Sequence, residues 1–330
     1  MEQLSFGVLG CASIARRKML PALVAHPRVR LAAVASRSAE KAAEYAAAFG
    51  CEAVAGYERL LERPVIDAVY VPSPAGVRAE WVERALRAGK HVLAEKPLTV
   101  DAEQARALVR LAEERDLLLV ENFMFLHHAA HGTVRELVRA GRVGEPRAFA
   151  ATFTIPSPPP GDIRFRRDLG GGALLDLGTY TARAARLHCG PALHPAGAVL
   201  TYDGTTGVDV AGAALLDGRG ITAQLSFGMA HAYACRYSLH GSDGVLTLDR
   251  AFTPPPTWQP VVRIESQGRC EELLLPPDDH FANVVGAFAA AVLDGARLGG
   301  QGQDIVSQAE LLDRIRESAR RARRDPARTE

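Results

Sequence analysis

The feature that most constrains this chain is the alternation in its first third. Residues 4–10 form a short apolar run that ends in glycine. An Ala- and Arg-rich stretch with helical character follows from about Ser13, interrupted by Pro21 and by His26-Pro27. The pattern then repeats: apolar runs at 29–35, 66–71, 91–94 and 117–120, helical stretches at 39–49, 79–88 and 102–115. Short apolar runs separated by helices of about ten residues call for βαβ crossovers and a parallel sheet. The runs are apolar throughout rather than alternating, which fits strands covered on both faces. The first part therefore reads as an α/β doubly wound Rossmann domain.

The rhythm changes after about residue 122. Runs at 148–155, 196–202, 208–216, 221–228, 235–241, 244–248 and 261–265 read as successive strands. Asp217-Gly218 and Ser242-Asp243-Gly244 supply hairpin turns between them. Helices are expected at about 133–140, 173–188, 280–294 and 304–323. This predicts a second, α+β domain with a large, mainly antiparallel open sheet. The 330 residues suit two domains, with boundaries at 1–122 and 123–330.

Composition narrows the function. Lys+Arg 39 against Asp+Glu 38 leaves a net charge of +1, which argues against a nucleic-acid binder. No apolar run approaches the roughly 20 residues of a membrane span. Met1-Glu2-Gln3 lacks the basic start of a signal peptide, and five scattered cysteines form no CxxC pair. A cytoplasmic protein is the expectation. The arginine-rich stretch 316–328 reads as a solvated helix face and frayed terminus.

Gly10-Cys11-Ala12-Ser13-Ile14-Ala15 joins the first strand to the first helix. Gly10, Ala12 and Ala15 match G-x-G-x-x-G/A, a turn whose backbone approaches a pyrophosphate at a helix N-terminus. Ala12 departs from the pattern but is small. The second strand ends Ala35-Ser36-Arg37-Ser38, without the carboxylate that holds the ribose 2′-hydroxyl in NAD sites. Arg37 is either a helix-flanking cation or a reader of a 2′-phosphate. The missing carboxylate favours the second, so NADP(H) is the expected cofactor.

Only four of the 39 basic residues are lysines, Lys18, Lys41, Lys90 and Lys96. Lys96 follows a parallel strand in Gly89-Lys-His-Val-Leu-Ala-Glu95-Lys96-Pro97, at the edge where doubly wound folds bind ligands. Further on, Gly170-Gly171-Gly172 precedes a helix carrying Asp176 and Tyr180 at i and i+4.

The glycine loop, A-G-K-H-V-L-A-E-K-P and G-G-G-A-L-L-D-L-G-T-Y together resemble the glucose–fructose oxidoreductase / inositol dehydrogenase / MocA family over essentially the whole chain. Residues 121–128 and Phe153-Thr154-Ile155-Pro156 are most similar to its bacterial nucleotide-sugar C-3 ketoreductases. The resemblance implies NADPH-dependent reduction of the C-3 keto group of a dTDP-linked deoxysugar. It also implies that Lys96 and Tyr180 flank the substrate carbonyl. Tyr180 would give the proton and Lys96 would lower its pKa and stabilise the oxyanion, with relay of the proton also open. Asp176 would orient Lys96 or accept a hydrogen bond. Cys11, Ser13, Ile14, Ser36, Pro72, Glu95, Lys96 and Asn122 complete the expected cofactor contacts with Gly10, Ala12 and Arg37.

Two departures matter. Many relatives have Pro-Asn-x-x-His where this chain has Pro74-Ala-Gly-Val-Arg78, and many inositol-type members have His at the position of Tyr180. Alternatives are NADP-dependent oxidation of a free sugar, polyol or dihydrodiol, and a regulator that only senses the dinucleotide. Arg164 and Arg166 are candidates for a substrate diphosphate or plain exposed arginines; Phe125 and His128 are candidate pocket residues. His127, His128 and His131 lack metal-binding spacing, and no metal is expected. The open sheet commonly supports oligomerisation in that family, so the resemblance implies a homodimer or homotetramer.

Overall fold

The computed structural model describes residues 3–324. Met1, Glu2 and the end of the arginine-rich stretch beyond 324 lie outside them. The chain forms two compact units. One ends at His127 and takes in His280–Val306; the other spans His128–Asp279 and resumes at Ser307.

The first unit is built on six parallel strands: β1 (Leu4–Leu9), β2 (Val29–Ser36), β3 (Glu52–Ala55), β4 (Ala68–Val71), β5 (His91–Glu95) and β6 (Leu119–Asn122). Their order, β3-β2-β1-β4-β5-β6, is that of a doubly wound dinucleotide-binding sheet. The crossovers are α1 (Leu20–Ala25), α2 (Ala39–Phe49), α3 (Tyr57–Leu61), α4 (Ala75–Arg87) and α5 (Ala102–Glu114). A π-helical turn, Ala15–Met19, runs into α1. Helix α2 starts at Ser38, whose hydroxyl accepts from the Lys41 N–H at 3.2 Å, and stops at left-handed Gly50. Asp101 caps α5 in the same way, accepting from Gln104 N–H at 2.9 Å.

Two short elements here escaped the sequence reading, β3 and α3. The burial pattern of β3 is that of an edge strand, and four residues give too little periodicity to separate from a loop. The apolar helix α8 (His280–Asp294) also belongs to this unit, although the boundary after 122 places it with the second. It covers β1, setting Phe288 against Phe6 at 5.4 Å between ring centres. The Arg28–Asp294 ion pair, 2.6 Å, secures the same helix.

The second unit is an eight-stranded sheet: β7 (Pro146–Ile155), β8 (His194–Tyr202), β9 (Asp209–Asp217), β10 (Thr222–Met229), β11 (Ala234–Gly241), β12 (Val245–Asp249), β13 (Val261–Ser266) and β14 (Arg269–Leu274). The order is β14-β13-β12-β11-β7-β10-β9-β8. Every neighbouring pair is antiparallel except β7 with β10. The hairpin turns fall where the sequence places them: Gly218 N–H donates to Ile221 at 2.9 Å and Gly241 N–H to Gly244 at 2.9 Å. The edge strand β14 was not foreseen; its residues are nearly all exposed, so it carries no apolar pattern. The remaining α-helices among the described residues are α6 (Ala129–Arg139), α7 (Thr179–Cys189) and α9 (Gln303–Arg324). Phe149, Phe227, Tyr237 and Phe252 form the largest fully buried side chains of the sheet's covered face.

Candidate active site

In the first unit the site is built on the carboxyl ends of the strands. Gly10 follows β1 with φ of +133°, a conformation that side-chain-bearing residues rarely adopt. A Cβ there would meet Pro72 Cγ and the Tyr57 hydroxyl only at 3.6 Å, so backbone conformation rather than space requires the glycine. Tyr45 donates from its hydroxyl to the Cys11 carbonyl at 3.2 Å. The Cys11 thiol turns toward the Lys41 carbonyl, 3.5 Å away, and burial raises its pKa. Ala15 is fully buried, as the third position of the motif demands. Ser13 is exposed and Ile14 half-buried at the start of the helix, which has no side-chain cap.

At the end of β2, Ser36 is buried and accepts from Ser38 N–H at 3.2 Å, while Arg37 is exposed. Burial raises the pKa of Tyr57, opposed by the charge of and a hydrogen bond with Arg37. Tyr57 therefore joins Gly10, Ser36 and Arg37 in this corner, a residue the sequence reading did not single out.

Glu95 and Asn122 end β5 and β6 as paired neighbours. Asn122 Nδ2 donates to Glu95 Oε1 at 2.8 Å, and the Tyr70 hydroxyl donates to the same oxygen at 2.8 Å. Asn122 is fully buried, and its Oδ1 finds no partner among the described residues. A buried amide oxygen without a donor is costly, and the carboxamide of a nicotinamide is a donor of the required kind. Together with the Gly10 turn, this orphaned acceptor fits an NADP(H) cofactor. Lys96 follows, half-buried, joined to Pro97 by a cis peptide bond. Lysine scarcity alone would not have found it: Lys90 is equally rare, yet its ammonium holds the Arg63 and Ile66 carbonyls at 2.8 Å each, a structural role.

In the second unit, Gly172 has φ of +124° and a Cβ on it would lie 2.4 Å from Asp209 Oδ1. That carboxylate accepts from Leu174 N–H at 2.6 Å and fixes the start of the helical segment. The segment opens as a π-type turn, Leu174–Gly178, before α7 begins at Thr179. Asp176 therefore lies in the wider turn rather than in a regular α-helix, a form frequent at functional sites. Tyr180 is 4% exposed, edge-on to Phe153 at 5.2 Å and near Phe252 at 5.8 Å.

Arg164 and Arg166 are both engaged. Arg164 pairs with Asp176 and Asp162, and Arg166 with Asp168 at 2.5 Å on the surface. Phe125, in the first unit, is fully buried against Phe123. His128 is buried and caps α6, accepting from Ala130 N–H at 3.1 Å; burial lowers its pKa against the pull of Asp278. His131 lies between the Tyr237 hydroxyl and the Ala251 carbonyl, 3.0 Å from each. A carbonyl only accepts, so Nε2 carries the proton and Nδ1 receives that of Tyr237. Among the described residues no group of three His, Cys, Asp or Glu is placed to hold a metal, and no helix is long and apolar enough to cross a membrane.

Comparisons with known proteins agree with this geometry. Residues 4–123 match the oxidoreductase family with NAD-binding Rossmann fold, and residues 131–247 match the GFO/IDH/MocA C-terminal domain. The chain is 54% identical to a dTDP-3,4-didehydro-2,6-dideoxy-alpha-D-glucose 3-reductase of Actinomadura kijaniata, covering 95% of each. It is 52% identical to a protein of the same name from Streptomyces violaceoruber, covering 97% of this chain and 96% of that one. Among solved structures, the 3-ketoreductase KijD10 of Actinomadura kijaniata, in complex with NADP and TDP-benzene, superposes with a TM-score of 0.94 at 52% identity. It covers 96% of this chain and 98% of that one. Sheet order, motif positions and full-length similarity coincide, and the chain belongs to the glucose–fructose oxidoreductase / inositol dehydrogenase / MocA family.

Proposed function

We propose that this protein is an NADPH-dependent oxidoreductase that reduces the C-3 keto group of a dTDP-linked keto-deoxysugar. The observation that carries this is 54% identity over 95% of the chain to a reductase of that named activity. NADPH, when bound, supplies the hydride. The chain does the rest. The Gly10–Ile14 turn offers backbone N–H groups to the pyrophosphate, and Ser36 and Arg37 hold the 2′-phosphate. Pro72, Glu95 and Asn122 line the nicotinamide end, with Asn122 Oδ1 as acceptor for its amide.

Tyr180 acts as the acid that protonates the carbonyl oxygen. Its burial among Phe153 and Phe252 keeps bulk water from competing for that proton. Lys96 supplies the positive charge that stabilises the developing oxyanion. Asp176, paired with Arg164 in the turn before Tyr180, serves as a hydrogen-bond acceptor of the site. Turnover is tested by NADPH consumption with a dTDP-3-keto-6-deoxysugar against free sugars, polyols and dihydrodiols. Reaction with the free substrates alone would replace this reading by the polyol-type one. Tight NADP binding without any turnover would point to a sensing role.

Cytoplasmic location and a homodimer or homotetramer are parts of the same proposal. All five cysteines are unpaired, as suits a reducing compartment. The uncovered face of the second sheet carries exposed Val199 and Leu215 on adjoining strands β8 and β9, which a second copy would shield. Gel filtration showing only monomer at micromolar concentration would remove the oligomer.

A further inference from the structure

Arg78 stands in the first turn of α4, where the sequence departs from the Pro-Asn-x-x-His pattern. It is 4% exposed. Nη1 donates to the Pro97 carbonyl and Nη2 to the Ser73 carbonyl. Nε is buried and finds no partner among the described residues. The guanidinium thus joins the segment after β4 to the segment after β5. Burial pulls its pKa down to about 10, against the attraction of Glu95, Tyr70 and Glu121, so it remains a cation at neutral pH.

A buried cation carries a large desolvation cost. An apolar side chain would fill the same volume without that cost. What only a planar fork supplies is two parallel donors reaching two carbonyls in fixed relation.

The surroundings of Lys96 show what that relation controls. Glu95, before it, is held by Tyr70 and Asn122. Leu98, two residues after it, gives its N–H to Glu121 Oε1 at 2.8 Å. Pro97, bonded directly to Lys96, has no N–H and is held through its carbonyl by Arg78.

We propose that Arg78 is a positioning residue for Lys96: by tying the Pro97 carbonyl to the turn after β4, it fixes the direction in which the Lys96 ammonium is presented for catalysis. This rests on the role assigned to Lys96 above. Displacement of a reacting group by about 1 Å costs on the order of 10²-fold in rate, which sets the scale of the expected effect.

The test is a double-mutant cycle on the full chain with NADPH and the keto-sugar substrate. Arg78→Met is expected to lower kcat on the order of 10²-fold while the NADPH Kd stays within about twofold. Arg78→Lys, which keeps the charge but reaches one carbonyl, should fall between wild type and Arg78→Met; it also serves if Arg78→Met does not fold. In a Lys96→Ala background the Arg78 substitution should change kcat by less than about twofold. Full additivity in that background would show that Arg78 does not act through Lys96 and overturns the proposal. So does a fall in Tm with kcat per bound NADPH unchanged, which marks a purely structural arginine. Near-normal kcat in Lys96→Ala alone would instead remove the assigned role of Lys96, and that single variant reveals it.

Discussion

Arg164 donates through Nε to Asp176 Oδ2 at 2.6 Å, and the same guanidinium pairs with Asp162 at 3.1 Å. Burial opposes the charged form, but the two carboxylates outweigh it and its pKa is raised. An arginine already divided between two acids is poorly placed to be the main holder of a substrate diphosphate; it braces the turn that leads to Tyr180. Arg164→Ala is expected to lower kcat by about tenfold with little change in substrate KM, the pattern of a lost transition-state arrangement. Arg166→Ala, at an exposed pair, should leave both constants within about twofold. Steady-state kinetics decide this, and a rise in KM confined to either variant would return the diphosphate to that arginine.

The acid and charge-stabilising roles proposed for Tyr180 and Lys96 can be told apart by their variants. Removing a positioned acid costs typically about 10²–10⁴-fold in rate, so Tyr180→Phe should lower kcat by that much and leave NADPH affinity nearly intact. Lys96→Ala should be at least as damaging, because it removes both charge and relay. If Tyr180→Phe retains near-normal kcat while Lys96→Ala is inactive, the lysine is the direct acid and the roles are exchanged.

The proposed reading of the 2′-phosphate by Arg37 is tested by cofactor preference. It is exposed at the end of β2, where no carboxylate stands to repel a 2′-phosphate. Arg37→Ala should weaken NADPH by about tenfold or more and NADH by less than about twofold, since only the former carries the phosphate. Fluorescence titration with both cofactors measures the difference, and equal losses would show that Arg37 does not read the phosphate.

Acid should unfold the second unit through His188. Its ring is packed beside Tyr237 at 4.7 Å and Phe149 at 5.6 Å. Burial, with the Arg135 charge as a lesser cause, lowers its pKa from 6.5 to about 3. Nε2 has no partner among the described residues. The folded state therefore binds fewer protons than the unfolded chain between those values. Stability is full above pH 6.5 and declines as pH falls toward 3, by up to about 1.4 kcal/mol per pH unit. Urea midpoints measured from pH 7 to 4 should drop steeply, and His188→Phe should flatten the slope. An unchanged slope in that variant would assign the acid sensitivity elsewhere, His127 being the next candidate, with burial lowering its pKa to about 4.

Local pattern determined much of this protein. The alternation of apolar runs and helices, the glycine turn, the Lys96-Pro97 pair and the approach to Tyr180 are properties of neighbours in sequence. They needed no knowledge of distant contacts to be read. So was the doubly wound sheet, because β-strands joined by single helices pair in parallel. Tertiary structure decided what each lone polar residue does. Arg78 is in the sequence only a departure from the Pro-Asn-x-x-His pattern; the fold sets it on the Ser73 and Pro97 carbonyls. Tyr70 and Glu121 gain their roles only when adjacent strands bring them to Glu95 and Leu98. Helix α8 returns to β1 across more than half the chain, because its apolar side covers the Phe6 face of that strand. β7 and β10 pair in parallel although most of the sheet is antiparallel. These outcomes rest on long-range contacts and on burial. A charge or ring has the same sequence signature in water as in a core; its cost and its partners exist only once the chain has folded around it.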